Sequence, residues 1–303
     1  MKKQTAAFCL AALANAIFGF SFMFSDIAFE IVNPTVLLAV RFLVAFLVMN
    51  VLVLTKKFRF SLKGKPVWML LALGLFQPIL YFICENYGIL YTSTAFSGTM
   101  IALIPVGSLV LSYLFLKEKV TRLQVGCAFL SVFGVILTTF GSEGGHVSLF
   151  GFLLLLGAVA SACLYNITTK RATEYFNALE KTYVQFAVGS AAFVVLALFQ
   201  AKGDFAARVL TPLSYGKFWI AIAYLAILSS VGAFLLLNYS IEYISVTQIS
   251  ILANLSTVIS ILAGILFLKE PFTLSQILGA AIIILSVYGV TREPKQKKTA
   301  AEI

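Results

Sequence analysis

Charged residues are scarce in this sequence, at 11% of 303 residues, whereas hydrophobic residues make up 61%. Soluble globular domains carry about 25% charged residues, and the mean hydropathy of this chain reaches +1.00. Such a composition excludes a soluble domain as the main body of the chain. It indicates a polytopic membrane protein whose chemistry lies inside the bilayer.

The residues that usually carry catalysis are scarce as well. The single histidine, His146, falls in a short predicted loop, and the sequence has neither an HExxH motif nor a Walker A motif. The cysteines Cys9, Cys84, Cys127 and Cys163 lie in apolar runs without metal-ligand spacing, which indicates packing roles. We therefore expect no metal, no cofactor and no direct use of ATP. An intramembrane enzyme or a scaffold with partner-binding loops is disfavoured.

Long apolar runs are what the sequence has instead. A helix needs about 20 apolar residues to cross a bilayer. Runs of that length lie near 5–24, 35–55, 67–87, 94–116, 123–140, 148–168, 182–200, 218–239, 246–268 and 273–291. The prediction is an all-α polytopic membrane protein with ten transmembrane helices, numbered 1 to 10, joined by short loops.

The N-terminal run could also be a signal peptide, since Lys2-Lys3 precede it and Ala14-Asn15-Ala16 resembles a cleavage site. Cleavage would leave nine helices, with a remnant of helix 1 too short to cross the membrane. We therefore interpret this run as a retained helix. With the N-terminus in the cytoplasm and sides alternating, 17 Lys and Arg residues fall inside and 4 outside, with Arg41 inside a helix. The positive-inside rule thus predicts a multi-pass protein of the cell membrane with both termini cytoplasmic. The net charge of +10 is then a topology signal and requires no nucleic-acid partner.

The chain contains an internal repeat. Residues 86–118 match residues 238–270 without a gap at a spacing of 152, with 13 of 33 positions identical. A weaker match at a spacing of 144 extends it upstream, where Asn33 aligns with Asn177 and Arg41 with Gln185. Duplication of apolar segments is typical of transporters that bind substrate between two halves.

The repeat unit is five helices, an odd number, so the second copy enters the membrane from the opposite side. We predict two inverted five-helix repeats, residues 1–144 and residues 145–303, the second ending in a short basic tail. The Lys117-Glu118 pair after helix 4 then falls inside and its counterpart Lys269-Glu270 falls outside. We interpret both as helix-end pairs at the lipid interface, with a gating role as the alternative. One chain contains both repeats and can therefore form the two-half arrangement without a second copy. We expect a functional monomer in the bilayer.

Several motifs together resemble the drug/metabolite transporter superfamily, in its ten-helix EamA-type branch. They are Phe18-Gly19-Phe20-Ser21-Phe22, Arg41-Phe42-Leu43, Ala102 to Pro105, the LFLKE endings of helices 4 and 9, and Gly126 and Gly134 with their counterparts Gly279 and Gly289. The sequence departs from the pattern at Phe18, where the family usually has Trp, and at Thr257, which answers Pro105. The resemblance covers the whole chain and implies export or exchange of small metabolites, often amino acids, by alternating access.

Arg41 and Glu85 are the ionisable residues clearly within predicted spans, and charges at membrane depth are functional hypotheses by default. Both lie in the outer third of the membrane by their distance along helices 2 and 3. A hydrogen-bonded pair between them could hold the outer gate. The alternative is that Glu85 faces water while Arg41 extends outward to the interface. Glu85 is also the first candidate for a proton-coupling acid, followed by Glu242, although passive exchange or uniport fits equally.

Uncharged polar residues at mid-membrane depth are the predicted substrate contacts, because a polar solute needs donors and acceptors in an apolar cavity. Pro78 should free a backbone carbonyl beside Gln77 in helix 3. The predicted substrate-binding set is Gln77, Tyr81, Tyr165, Asn166, Gln185, Asn254 and Ser256. For each residue alone, an interhelical hydrogen bond is the alternative role.

These features predict a secondary transporter of a small polar metabolite such as an amino acid. A multidrug exporter of lipophilic cations is the alternative within transport. The four-helix exporters of this superfamily resemble this chain in their helix pairs but carry a buried Glu in helix 1, whereas helix 1 here has no acid before Asp26. That absence weakens the cation-for-proton scheme.

Overall fold

The computed structural model describes residues 2–55, 60–91, 100–139, 148–201, 211–268 and 274–291. All regular structure within these ranges is helical, so the prediction of an all-α protein is confirmed. His146, the Lys269-Glu270 pair and the basic tail from residue 292 onward lie outside the described residues.

The helices follow the predicted apolar runs closely. Two of them, α3 and α8, consist of α-helical ends joined by a π-helical stretch, and α9 has two parts. The helices are α1 (Lys2–Phe29), α2 (Pro34–Leu54), α3 (Trp68–Gly74, Leu75–Leu80 and Tyr81–Leu90), α4 (Ile104–Leu116), α5 (Arg122–Thr139), α6 (Leu149–Ala172), α7 (Ala178–Ala201), α8 (Gly216–Ile222, Ala223–Ala233 and Phe234–Ser240), α9 (Val246–Ala253 and Leu255–Leu268) and α10 (Leu274–Thr291).

By length and apolar composition, six helical regions can each cross a membrane. They are Lys3–Phe29, Pro34–Leu54, Trp68–Gly88, Leu149–Ala172, Ala178–Gln200 and Gly216–Ser240. The apolar helices of α4, α5, α9 and α10 are shorter in the described part of the chain. Multi-pass membrane character is therefore supported, and the count of ten spans stays a prediction.

The repeat duplicates a helix start. Asn33 caps α2, where its side-chain oxygen accepts a hydrogen bond from the Val36 amide at 2.9 Å. Asn177, 144 positions later, accepts from the Glu180 amide at 2.9 Å at the start of α7. An Asn side chain at this position satisfies a helix amide that has no partner within the helix.

The repeat also duplicates a helix interruption. The π-helical stretch of α3 spans Leu75–Leu80, with Gln77 in a non-helical conformation at φ −146° and ψ 119°. A spacing of 152 carries this stretch to residues 227–232, inside the π-helical stretch Ala223–Ala233 of α8. Pro78 explains the first interruption because it lacks an amide N–H, whereas α8 has Ser230 at that place.

Helix packing is reciprocal between the two parts of the chain. Helix α2 packs against α7, and α5 packs against α10. Helix α1 packs against α8 and α9, and α6 correspondingly packs against α3 and α4. Each part therefore places its first helix against helices of the other part, so that the core forms across the repeat boundary.

Glycine permits the closest of these approaches. A Cβ atom on Gly19 of α1 would lie 2.5 Å from the Cβ of Ile259 in α9, closer than side-chain atoms approach. By contrast, a Cβ on Gly126 of α5 would meet no atom within 4 Å. Small residues allow helices in membranes to pack through close backbone contact.

Candidate functional site

The interruption in α3 presents a main-chain carbonyl to the second half of the chain. In a regular α-helix the Tyr81 amide would bond to the Gln77 carbonyl, but here it donates to the carbonyls of Phe76 and Pro78. The Gln77 carbonyl instead accepts a hydrogen bond from Nε2 of Gln185 in α7 at 2.7 Å. The predicted role of Gln77 thus rests on its main chain, and Gln185 contacts it directly.

The interruption in α8 makes the equivalent contact in the opposite direction. Nε of Arg41 in α2 donates to the Ser230 hydroxyl at 2.9 Å, and its Nη2 donates to the Ser229 hydroxyl at 3.2 Å. Ser21 of α1 also lies 2.7 Å from the Ser229 hydroxyl. Arg41 and Gln185 are repeat counterparts, as are Gln77 and Ser229. Each half therefore extends one polar side chain to the interrupted helix of the other.

Four phenylalanine rings form a packed group that includes the residues following Arg41 and Gln185 in the chain. Phe42 and Phe186, which are repeat counterparts, lie with ring centroids 5.5 Å apart. Phe42 also packs on Phe82 of α3 at 5.8 Å, and Phe186 packs on Phe234 of α8 at 5.4 Å. Phe82 and Phe234 are themselves 152 positions apart. Because Phe42 and Phe186 directly follow Arg41 and Gln185 in the chain, this aromatic group adjoins the residues that make both polar contacts.

Tyr165 joins the Gln185 side of the site. Its hydroxyl lies against the side chains of Gln185 and Thr169 and donates to Oδ1 of Asn238 at 3.5 Å. Nδ2 of Asn238 donates to the Thr182 hydroxyl at 2.9 Å. The buried atoms Oε1 of Gln185 and Oγ1 of Thr169 have no hydrogen-bond partner among the described residues. Three predicted residues, Gln77, Tyr165 and Gln185, thus come together here.

The remaining polar predictions lie elsewhere in the bundle. Nδ2 of Asn166 donates to Ser108 of α4 at 3.3 Å and to Ser250 of α9 at 3.1 Å. Asn254 ends the first part of α9 and donates to Ser131 of α5 at 3.1 Å. The hydroxyl of Ser256 bonds to the Ala253 carbonyl of its own helix at 2.7 Å. In these contacts Asn166 and Asn254 join helices, and Ser256 turns back on its own chain.

Arg41 and Glu85 do not form the direct pair that the sequence suggested. The salt bridges of the described residues join Lys65 to Glu180 and Lys181 to Glu242. Oε1 of Glu85 instead accepts a hydrogen bond from the Tyr81 hydroxyl at 2.9 Å. Arg41 is 6% exposed and turns to α8, so it does not extend to the interface either.

A second group of charges lies at the ends of α4, α6 and α7. The ammonium of Lys181 is buried, donates to the Asn238 carbonyl at 2.9 Å and lies 3.6 Å from Oε1 of Glu242. Burial raises the pKa of Glu242, while Lys181 opposes that shift. Burial likewise raises the pKa of Glu118, against the opposing charge of Lys170. Glu118 lies beyond α4 and accepts from the Val246 amide at 3.4 Å, at the start of α9.

Ser21, Ser229 and Ser230 were missed by sequence reasoning. A serine in an apolar run carries little signal alone, because most such residues bond within their own helix. The repeat supplies the missing signal: extending the spacing of 152 upstream aligns Ser229 and Ser230 with Gln77 and Pro78. The two serines therefore occupy the position equivalent to the helix break that the proline revealed.

The helical bundle, its interrupted helices and the polar contacts between its halves define a polytopic membrane transporter as the class of protein. The model of the EamA-like transporter family matches residues 5–140 and 149–292. The chain belongs to the EamA-like transporter family, within the drug/metabolite transporter superfamily. The family supports membrane transport and points away from an enzyme.

Individual relatives agree with this membership. The chain is 33% identical to the uncharacterized transporter YcxC of Bacillus subtilis, over 98% of this chain and 96% of that protein. It is 23% identical to UDP-uronic acid transporter 1 of Arabidopsis thaliana, over 68% of each chain. A solved crystal structure at 18% identity superposes with a TM-score of 0.75 over 95% of this chain and 96% of its own. That likeness supports the fold.

Proposed function

We propose that this protein is a secondary transporter that exports or exchanges a small polar metabolite across the cell membrane by alternating access. The moving units would be the inverted five-helix halves, residues 1–144 and 145–303, with ten transmembrane helices and both termini in the cytoplasm. The match of the family model to two successive segments supports this division. The reciprocal packing of α1 on α8 and α9, and of α6 on α3 and α4, supports it as well.

The observation that carries the proposal is the reciprocal pair of polar contacts. Arg41 reaches the interrupted helix α8, and Gln185 reaches the interrupted helix α3. In transporters built from repeats, broken helices at the repeat interface supply main-chain groups for substrate. Transport requires that contacts between halves break and form again, which hydrogen bonds of this kind permit because they are worth about 0.6 kcal/mol on average in membranes.

An amino acid is our first candidate substrate, because it presents donors, acceptors and charge that match hydroxyl, amide and guanidinium groups. The site offers Gln185, Tyr165, the Gln77 carbonyl and Arg41. One of the relatives is named as a transporter of UDP-uronic acid, and a uronic acid also carries a carboxylate. We expect the protein to act as a monomer in the bilayer with a small-molecule substrate as its partner.

Counterflow in proteoliposomes tests the proposal. Vesicles holding the purified protein are loaded with amino acids, sugars or organic cations, and uptake of the labelled solute is followed. We expect trans-stimulated uptake of a polar metabolite, reduced in Q185L because leucine leaves the Gln77 carbonyl without its donor. G126A is the matched control, because its added methyl group meets no atom within 4 Å. Flux of lipophilic cations alone would favour multidrug export, and no flux of any solute by folded protein would contradict the proposal.

A further inference from the structure

Arg41 is a buried cation that forms no salt bridge with any residue the structure describes. The residue is 6% exposed, and the salt bridges of the described residues join other side chains. Its hydrogen-bond partners, Ser229 and Ser230, are neutral hydroxyls. The carboxylate of Glu85 acts on this cation electrostatically but forms no salt bridge with it. A buried charge without a direct partner is unfavourable in a protein, so an anion that contacts the guanidinium would stabilise it.

The guanidinium is held so that one edge is left for such an anion. It has five N–H groups, of which the one on Nε and one on Nη2 bond to the two serines. The edge formed by Nη1 and the second N–H of Nη2 has no hydrogen bond among the described residues. Two parallel N–H groups on this edge match the two oxygens of a carboxylate.

Neighbouring side chains fix the plane of the guanidinium. Its central carbon lies 5.6 Å from the ring centroids of both Phe42 and Phe82, a distance at which aromatic faces attract a cation. Ser21 lies 2.7 Å from the Ser229 hydroxyl and so holds that acceptor in place. The aromatic rings and the serine hydroxyls orient the guanidinium of Arg41 but do not neutralise its positive charge.

We propose that Arg41 binds the acidic group of the transported solute, and that Ser229 and Ser230 position its guanidinium for this task. The inference rests on the proposed transport function and narrows the substrate class to metabolites that carry a carboxylate. Gln185, the repeat counterpart of Arg41, is an uncharged amide, so the two halves offer unlike ends. The acidic end of the solute lies toward Arg41 and α8, and its hydrogen-bonding end lies toward Gln185 and α3.

The rival role for Arg41 is a gate that pairs with Glu85 in another conformation. A gate acts on every solute alike, whereas a binding residue acts on those that carry the recognised group. Selectivity between matched solutes therefore separates the two roles. Suitable pairs are glucuronate against glucose, and alanine against alaninamide, which lacks the carboxylate.

The experiment measures counterflow of each pair by wild-type protein and by R41Q, R41K and S230A. We expect wild type to prefer the carboxylate, and R41Q to reduce that preference tenfold or more. R41K keeps the charge but loses the planar fork, so it should retain part of the preference. S230A should raise the KM of the carboxylate several-fold while flux at saturation changes little. R171A is the control, because Arg171 donates to the Phe115 carbonyl at an exposed position, and its preference should equal that of wild type.

A binding assay keeps the test independent of turnover. Glucuronate or alanine should raise the melting temperature of purified wild type more than its carboxylate-free partner does, and R41Q and S230A should diminish that difference. Equal loss of flux for both members of each pair in R41Q would overturn the inference in favour of a gate. Transport confined to uncharged polar solutes would also overturn it, while the proposed transport function would stand. No flux of any solute would contradict the transport function itself.

Discussion

The contact between Lys65 and Glu180 should stabilise the junction of the two halves by more than an ordinary surface ion pair. Lys65 lies in the loop between α2 and α3, and Glu180 lies in the first turn of α7. The Lys65 ammonium is 2.8 and 2.7 Å from the two carboxylate oxygens. The side chain of Glu180 is 2% exposed and that of Lys65 is 27% exposed. The pair is thus screened from water on the carboxylate side.

Two main-chain amides complete the surroundings of this carboxylate. Oε1 accepts from the Ser61 amide at 2.8 Å, and Oε2 accepts from the Asn177 amide at 3.1 Å. Asn177 in turn caps the amide of Glu180, so the two residues form the capping-box arrangement of a helix start. All of these partners are donors, and they require an acceptor at position 180.

The magnitude follows from what remains after the lysine is removed. Losing one partner of a buried pair costs about 3–5 kcal/mol when the other charge is left uncompensated. In K65M the two amides still bond to the carboxylate, so we expect a smaller loss, about 1–3 kcal/mol. For a chain of this size that loss corresponds to a melting temperature lower by about 2–6 °C. K63M, which changes an exposed lysine of the same loop, should stay within about 0.5 kcal/mol of wild type.

The charge-swapped variant K65E/E180K gives the decisive measurement. It keeps one charge of each sign, but it places an ammonium opposite the amides of Ser61 and Asn177, which offer it no acceptor. We therefore expect the swap to melt no higher than K65M, by fluorescence-detected thermal unfolding in detergent. Recovery of the wild-type melting temperature by the swap would refute this reasoning, because charge attraction alone would then account for the contact.

Three further predictions concern coupling, packing and pH. If Glu85 is the coupling acid, E85Q should abolish the effect of a pH gradient on flux while counterflow continues, because an amide carries no proton. Unchanged gradient-driven flux would remove Glu85 from that role. G19A should lower the free energy of unfolding by about 1–3 kcal/mol, because the added methyl group overpacks the contact with α9. G126A should leave that free energy unchanged or raise it by up to about 1 kcal/mol, because alanine favours the helix more than glycine does. Equal melting temperatures of the two variants would contradict the close contact of α1 with α9. Because the pKa of Glu118 is raised in the folded protein, the folded protein holds this proton to a higher pH than the unfolded chain does. The stability that protonated Glu118 contributes is therefore full below the unfolded pKa and is lost as pH rises through the folded pKa. E118Q should remove that decline from a series of melting curves against pH, and an identical decline in both proteins would show that other groups cause it.

The sequence predicted the helical frame well because hydrophobic length is a strong signal. The predicted runs overlap the described helices throughout, and the proline of α3 marked its interruption correctly. Apolar length says less about where a membrane boundary falls, so the four shorter helices, α4, α5, α9 and α10, stay predictions as spans. The capping box at Asn177 and Glu180 was not among the sequence predictions, and its ionic partner Lys65 could not be inferred from local spacing, because that contact joins residues 115 positions apart.

Side-chain direction was the part that spacing could not supply. Arg41 and Glu85 lie at similar depths, which made a direct pair reasonable, yet depth along a helix does not fix the face on which a residue lies. Arg41 faces α8 because α2 packs against that helix as well as against α7, and the serines of α8 supply acceptors there. Glu85 has a nearer partner on its own helix, since Tyr81 is one turn away.

The repeat explains why the frame was more predictable than the site. Residues that set the architecture are retained in both copies: Asn33 and Asn177 begin helices, and Phe42 and Phe186 meet at the centre. At the position just before these phenylalanines, however, one copy has Arg41 and the other has Gln185. Packing between corresponding helices of the two repeats favours identical residues, whereas a small solute with two unlike ends is bound better by unlike residues. We therefore expect the departures from the repeat at the helix interruptions, more than the matches, to locate the groups that recognise substrate.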